Sequence, residues 1–270
     1  FKGLLKELKR ESATVHLENL VGGALSLYSA AAILKRGGVN IFVAEDRDAA
    51  AYLLNDFYAL LDEDLVHFFP TSYKRSILYG KEDAQGVVQR TNTLNAIRHR
   101  KGNYLVVCTY PDALAERVAD EQSLSNNTIR LKVGDSIKIS DLEDMLVELG
   151  FQQVDFVYEP GQYSLRGGIV DVFSYSESRP YRFDFFGDEV DSIRRFEISS
   201  QLSADRLERV AVVPDLKNRE GSDSRISLAN FVGGNATWWF YDADQILRRV
   251  NDIRRRTLSD MEDPKLIDRL

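Results

Sequence analysis

The sequence predicts an α/β protein: an open, mainly parallel sheet interrupted by an inserted β-rich α+β domain. Three observations predict it. Short continuous apolar runs such as Ile41-Phe42-Val43 and Leu105-Val106-Val107-Cys108 alternate with segments of helical period, the grammar of βαβ units in a parallel sheet. From Gln153 to Gln201 strands follow one another through glycine turns, as in an antiparallel sheet. After a polar connection, Asp215 to Ser224, one more apolar strand and an amphipathic helix read as rejoining the first sheet. At about 100–200 residues per domain, a chain of 270 residues that is 44% hydrophobic holds two domains with real cores.

The elements follow in order. Thr14-Val15-His16-Leu17 reads as a strand, Gly22-Gly23 as a turn, Ala24 to Leu34 as a helix and Asn40 to Ala44 as the next strand. Arg47 to Leu61 has helical spacing, and Leu65 to Phe69 is a strand ended by Pro70. Asp83 to Arg100 forms an amphipathic helix leading to the strand Tyr104 to Cys108, and Pro111 suits the first turn of a helix reaching Val118. Polar residues from Asp120 to Asn127 mark a crossing into the second domain. There Thr128 to Val133 is a strand, Ile139 to Leu149 a short helix and Asp155 to Tyr158 a strand. Gln162 to Phe173 reads as one strand whose Gly167-Gly168 pair forms a bulge, turning Val170 and Val172 inward and Asp171 outward. Tyr181 to Phe185 and Val190 to Phe196 flank a turn at Gly187-Asp188-Glu189. Val210 to Pro214 is a strand leaving this domain, Ile226 to Phe231 and the strand Thr237 to Tyr241 follow, and Asp242 caps a helix from Ala243 to Arg256. The expected division is 1–122, 123–212 and 213–270, the first and last parts forming one domain.

Composition narrows the function. With 35 basic and 42 acidic side chains the net charge is −7, which opposes a protein that coats nucleic acid through a basic surface. No apolar run approaches the roughly 20 residues needed to span a bilayer. Cys108 is the single cysteine, and His16, His67 and His99 are too scattered for a zinc site. A soluble, cytoplasmic protein without metal or cofactor is expected. The start at Phe1 and the charged tail Asp260 to Leu270 suggest a piece of a longer chain. Arg248, Arg249, Arg254, Arg255 and Arg256 raise the possibility of DNA contact, but the neighbouring acids favour a solvated or domain-contact face. No acid–base pair can be nominated from spacing, so no catalytic residue is expected.

The Gly22-Gly23 junction stands where a P-loop would sit. A working loop needs glycines to wrap phosphates, a lysine for their charge and a hydroxyl for magnesium. In that register Asn19 replaces the first glycine, Gly22 and Gly23 lie within the loop, Ala24 replaces the last glycine, Leu25 replaces the lysine, and Ser26 keeps the hydroxyl. The segment is either an ordinary glycine turn or a degenerate nucleotide site, and both exclude tight ATP binding.

Alternation along Tyr181 to Phe186 places Tyr181, Phe183 and Phe185 on one face and Arg182, Asp184 and Phe186 on the other. Arg166 joins the second face from the preceding strand. An exposed phenylalanine ringed by arginine has the composition of a protein-binding hot spot, although Phe186 as a core residue at a turn fits the same pattern.

The string Glu159-Pro160-Gly161-Gln162-Tyr163-Ser164-Leu165-Arg166-Gly167-Gly168-Ile169-Val170-Asp171-Val172-Phe173, followed by Pro180 to Arg194, resembles the N-terminal region of bacterial transcription-repair coupling factors (Mfd), itself similar to the excision-repair protein UvrB. The resemblance implies an α/β domain with a degenerate nucleotide site and an inserted domain that docks on UvrA through Arg166, Arg182 and Phe186. It implies a non-catalytic module that recruits UvrA to RNA polymerase stalled at DNA damage. It also implies a longer parent, an ATP-dependent DNA translocase that engages polymerase and DNA and is kept autoinhibited by packing of this module on its translocase and C-terminal domains. The alternative is a nucleotide-dependent DNA-remodelling domain of UvrB type, disfavoured by Leu25. The tyrosine-rich hairpin of UvrB corresponds here to Phe69 to Asp83, which has Tyr73 and Tyr79 and looks too short to verify damage.

Overall fold

The structure is a computed structural model that describes residues 2–7, 13–73, 83–100, 102–120, 127–215 and 225–260. The chain divides into two compact units, one of Phe1–Val118 with Ile226–Leu270 and one of Ala119–Arg225. The first unit is therefore split in sequence by the second.

The first unit is built on a four-stranded parallel sheet in the order Ala236–Phe240, Gly38–Val43, Tyr104–Thr109, Val66–Phe68. Helices Ala24–Arg36, Arg47–Leu60 and Ala84–Arg98 connect or flank these strands. Gly37 ends the first of them: its amide donates to the Ile33 carbonyl at 2.7 Å, its φ of +71° is left-handed, and a Cβ there would lie 2.5 Å from the Asn103 carbonyl oxygen. Ala30 and Ile33 pack with Phe42, Phe57, Val66, Val106 and Cys108, and Trp239 closes that core from the returning strand. Burial raises the Cys108 thiol above its ordinary range, so it acts as a small apolar side chain.

The return to the first sheet was legible, because Thr237 to Tyr241 has the composition of a strand. Its position has a polar lock. The Trp239 indole N–H donates to Asn40 Oδ1 at 3.1 Å, and its ring stacks on Phe42 at 5.1 Å. Asp242 caps the following helix, its Oδ1 accepting from the Gln245 amide at 2.9 Å.

One expected strand is missing. Residues 13–21 carry no regular secondary structure, and Thr14, His16 and Leu17 are exposed. Both sides of Gly38–Val43 are taken, by Ala236–Phe240 and Tyr104–Thr109, and the short alternation at Thr14 to Leu17 has no ladder partner among the described residues. The stretch compared with the UvrB hairpin lies largely outside the described residues, Tyr79 included.

The second unit carries a six-stranded sheet in the order Ser203–Leu207, Glu189–Phe196, Tyr181–Phe186, Ile169–Val172, Gln162–Arg166, Gln152–Gln153. Neighbours are antiparallel except the last pair, which is parallel. Helix Ile139–Glu148 covers one face. Its Leu142 and Leu146 join Tyr163, Val170, Val172, Tyr181, Phe183, Val190 and Ile193 in one core. Each such side chain contributes about 1.5–3 kcal/mol through burial. A two-stranded pair, Ile129–Lys132 with Arg209–Val212, adds Leu131, Val210 and Val212 to it.

Three expectations in this unit change. Gly167-Gly168 is the two-residue turn of a hairpin, with Arg166 opposite Ile169 and Gly167 at φ +61°, and not a bulge within one strand. Asp171 does leave the face shared by Val170 and Val172, but it is fully buried on the other side. Asp155 to Tyr158 is a loop, because pairing with Gln162–Arg166 stops at Gln153 and Val157 turns into a separate cluster with Phe173 and Phe196. In the first unit, Ile226 to Phe231 resolves into a strand, Arg225–Ile226, and a helix, Leu228–Val232.

Candidate functional site

At the glycine turn before helix Ala24–Arg36, Asn19 and Gly22 have positive φ, +62° and +56°. The Ala24 amide donates to the Val21 carbonyl at 3.2 Å and the Leu27 amide to Gly23 at 3.0 Å, which closes the turn onto the helix. Leu25 is half-buried and brings no charge. Ser26 is buried, and its hydroxyl donates to Asp56 Oδ2 at 2.5 Å. The hydroxyl that an intact loop would offer to magnesium is thus engaged by a carboxylate of the next helix. Asn19, Gly22, Gly23, Ala24, Leu25 and Ser26 supply a helix start without a cation, and a helix start alone does not hold a triphosphate.

The second group of residues lies on the sheet face opposite helix Ile139–Glu148. Register places Ser164 opposite Asp171 and Asp171 opposite Arg182 across three strands. Asp171 has 0% side-chain exposure and is held from both sides. Arg182 Nε donates to its Oδ1 at 2.7 Å and Nη2 to its Oδ2 at 2.8 Å, a bidentate pair, while Arg166 Nη2 also donates to Oδ2. Hydrogen bonding to Asp171 pushes the Arg182 guanidinium above its ordinary value. Two guanidiniums over one carboxylate leave that trio with an excess positive charge.

Each arginine is fixed further. Arg182 Nη1 donates to the Gln201 carbonyl at 3.2 Å, and its guanidinium lies 4.5 Å from the centre of the Phe196 ring. Arg166 Nη1 donates to the Asp155 carbonyl at 2.9 Å and to Ser164 Oγ at 3.2 Å, with the Phe156 ring 5.1 Å away. Beside them Asp184 accepts from Ser192 Oγ at 2.5 Å and pairs with Arg194. The arginine side chains differ in access, 34% exposed for Arg166 and 14% for Arg182.

Phe186 ends the Tyr181–Phe186 strand on the same face and is 84% exposed. The core-residue reading of Phe186 is thereby excluded: Tyr181 and Phe183 fill the core, and Phe186 faces solvent. The structure brings Arg166 and Arg182 together through Asp171 and sets Phe186 at the strand end. Asp171 as their hub and Phe156 as a neighbour of Arg166 escaped the sequence reading. A two-residue hairpin turn at Gly167-Gly168 would have revealed the first, since it sets the register that centres Asp171. In the first unit, Arg249 of the basic helix donates to the Glu45 carbonyl at 3.0 Å and pairs with Asp112 at 3.6 Å, a contact within that unit.

Two outcomes test these descriptions. Asp171→Asn keeps the shape and removes the charge that both arginines share, so it should cost about 3–5 kcal/mol, the usual effect of breaking a buried ion pair. Urea unfolding measures it, and a loss under about 1 kcal/mol would refute the hub. Isothermal titration with ATP and magnesium should give no heat of binding in the micromolar range, and micromolar affinity would overturn the reading of the turn.

Residues 129–217 match the model of the UvrB interaction domain. The chain is 25% identical over 214 residues to the transcription-repair-coupling factor of Bacillus subtilis (strain 168), covering 79% of this chain and 18% of the relative. It is 32% identical over 128 residues to that of Haemophilus influenzae, covering 46% of this chain and 11% of the relative. It is 26% identical over 199 residues to that of Escherichia coli (strain K12), covering 73% and 17%. The chain spans less than a fifth of the length of these curated relatives. The chain is thus similar over most of its length to bacterial transcription-repair-coupling factors, and the buried Asp171 and its two arginines fall inside the stretch that matches the UvrB interaction domain.

Proposed function

We propose that this chain is a non-catalytic recruitment module for nucleotide excision repair, docking UvrA through the sheet face of its second unit. The observation that carries the reading is Phe186, a phenylalanine 84% exposed at the end of the strand that carries Arg182, within residues that match the model of the UvrB interaction domain. An exposed aromatic ring on the same sheet face as partly exposed arginine has the composition of a binding hot spot. Of the residues that the family resemblance assigns to UvrA contact, Phe186 meets the partner directly, Arg166 offers its exposed edge, and Arg182 chiefly holds Asp171. The acidic net charge of −7 suits a protein partner better than DNA.

In the longer parent, the module would bring UvrA to RNA polymerase stalled at a lesion, while the rest of the protein supplies an ATP-dependent DNA translocase and the contacts to polymerase and DNA. No cofactor is called for in this chain, and the parent would act in the cytoplasm. The UvrB-type alternative, nucleotide-dependent remodelling by this chain itself, is weakened by Leu25 and by the Ser26–Asp56 hydrogen bond. The same exposed surface suits an autoinhibitory contact: an apolar patch lowers its free energy when covered, and the translocase part would cover it until polymerase is engaged.

Phe186→Ala should weaken binding to purified UvrA by about 2 kcal/mol, roughly thirty-fold. Its thermal midpoint should stay within a degree or two, because little of the side chain is buried. Undiminished affinity would remove Phe186 from the site. Arg182→Ala is a poorer probe, since it leaves Asp171 buried with one partner fewer and lowers stability as well as binding. For the autoinhibitory contact, deleting the module from the full-length parent should raise ATPase activity or DNA affinity several-fold, and a parent unchanged in both would count against masking.

A further inference from the structure

The loop between Gln153 and Gln162 holds an aromatic side chain that the core does not use. Val157 turns inward and is fully buried with Phe173 and Phe196, whereas its neighbour Phe156 is 49% exposed. The backbone around Phe156 is pinned. The Asp155 carbonyl accepts from Ser164 Oγ and from Arg166 Nη1, both at 2.9 Å. On the other side Gln162 Oε1 accepts from the amides of Tyr158 at 2.9 Å and Glu159 at 3.0 Å. An exposed ring on a loop already ordered by four side-chain hydrogen bonds loses little conformational freedom when a partner covers it.

Its location is as telling as its rigidity. The Phe156 ring lies 5.1 Å from the Arg166 guanidinium, on the side of Arg166 that faces the Gln152–Gln153 strand. Phe186 lies on the other side, two strands across, since Arg166 pairs with Ile169 and Ile169 with Asp184. At about 4.8 Å between strands, the two rings flank Arg166 within a patch about 15–20 Å across. A standard protein interface, about 800 Å² per partner, spans that distance easily.

We propose that Phe156 is a second aromatic anchor of the UvrA-docking face, so that UvrA meets two apolar contacts with the positive edge of Arg166 between them. The complementary surface on UvrA is then apolar at both ends, with a carboxylate or carbonyl oxygen facing Arg166. This rests on the docking face proposed above and extends it beyond Arg166, Arg182 and Phe186.

The experiment compares Phe156→Ala, Phe156→Leu and Phe186→Ala in binding to purified UvrA, with thermal unfolding of each. Phe156→Ala should weaken binding about ten-fold while keeping the wild-type midpoint. Phe156→Leu should retain much of the affinity, because it keeps apolar area while giving up the ring face beneath Arg166. If Phe156→Leu loses as much as Phe156→Ala, the ring merely positions Arg166 and the anchor is refuted. If Phe186→Ala weakens binding and Phe156→Ala does not, the anchor falls and the docking face stands. If neither weakens it, both fall.

Discussion

A fully buried carboxylate in the middle of a sheet, Asp171, is the constraint on which the second unit of this protein depends. Left alone it would be too costly to keep charged. It is tolerated because both neighbouring strands deliver arginines to it, one bidentately and one at Oδ2. That requirement fixes register. A one-residue slip of Tyr181–Phe186 would turn Arg182 into the core and bring Phe183 over the carboxylate. The packing of Phe183, Val170 and Tyr163 beneath the sheet and the ionic ladder above it therefore demand the same alignment.

This arrangement changes what the arginines are for. Guanidiniums that hold a buried carboxylate have limited freedom to reach outward, and the more enclosed of the two, Arg182, is chiefly a structural strut. What the ladder creates is a stiff platform, with residual positive charge at Arg166 and aromatic rings at its margins. Rigidity of this kind favours recognition, because the groups that meet a partner are already held in place.

The first unit solves a different problem, that of closing a sheet with a strand from far along the chain. Asn40 and Trp239 are 199 residues apart, yet their hydrogen bond and the stacking of Trp239 on Phe42 seat the returning strand beside Gly38–Val43. The residues before the glycine turn carry no regular secondary structure. The turn remains a helix entrance in which Ser26 answers to Asp56.

The sequence by itself determined the fold class, the order of most elements, and the sidedness of Tyr181 to Phe186. Each of these follows from local periodicity, glycine and proline positions, and runs of apolar residues, which a single strand or helix expresses without its partners. The burial of Asp171 was not legible, because an aspartate between two valines reads as an outward residue until two arginines on separate strands are known to cover it. Nor was Phe156: whether a short apolar stretch becomes a strand or a pinned loop depends on where its neighbour's ladder stops. Thr14 to Leu17 failed for the same reason, since a strand exists only where another segment pairs with it, and among the described residues none does. Tertiary structure decided these three points because each concerns what lies across from a residue, and that is set by pairing between segments distant in the chain.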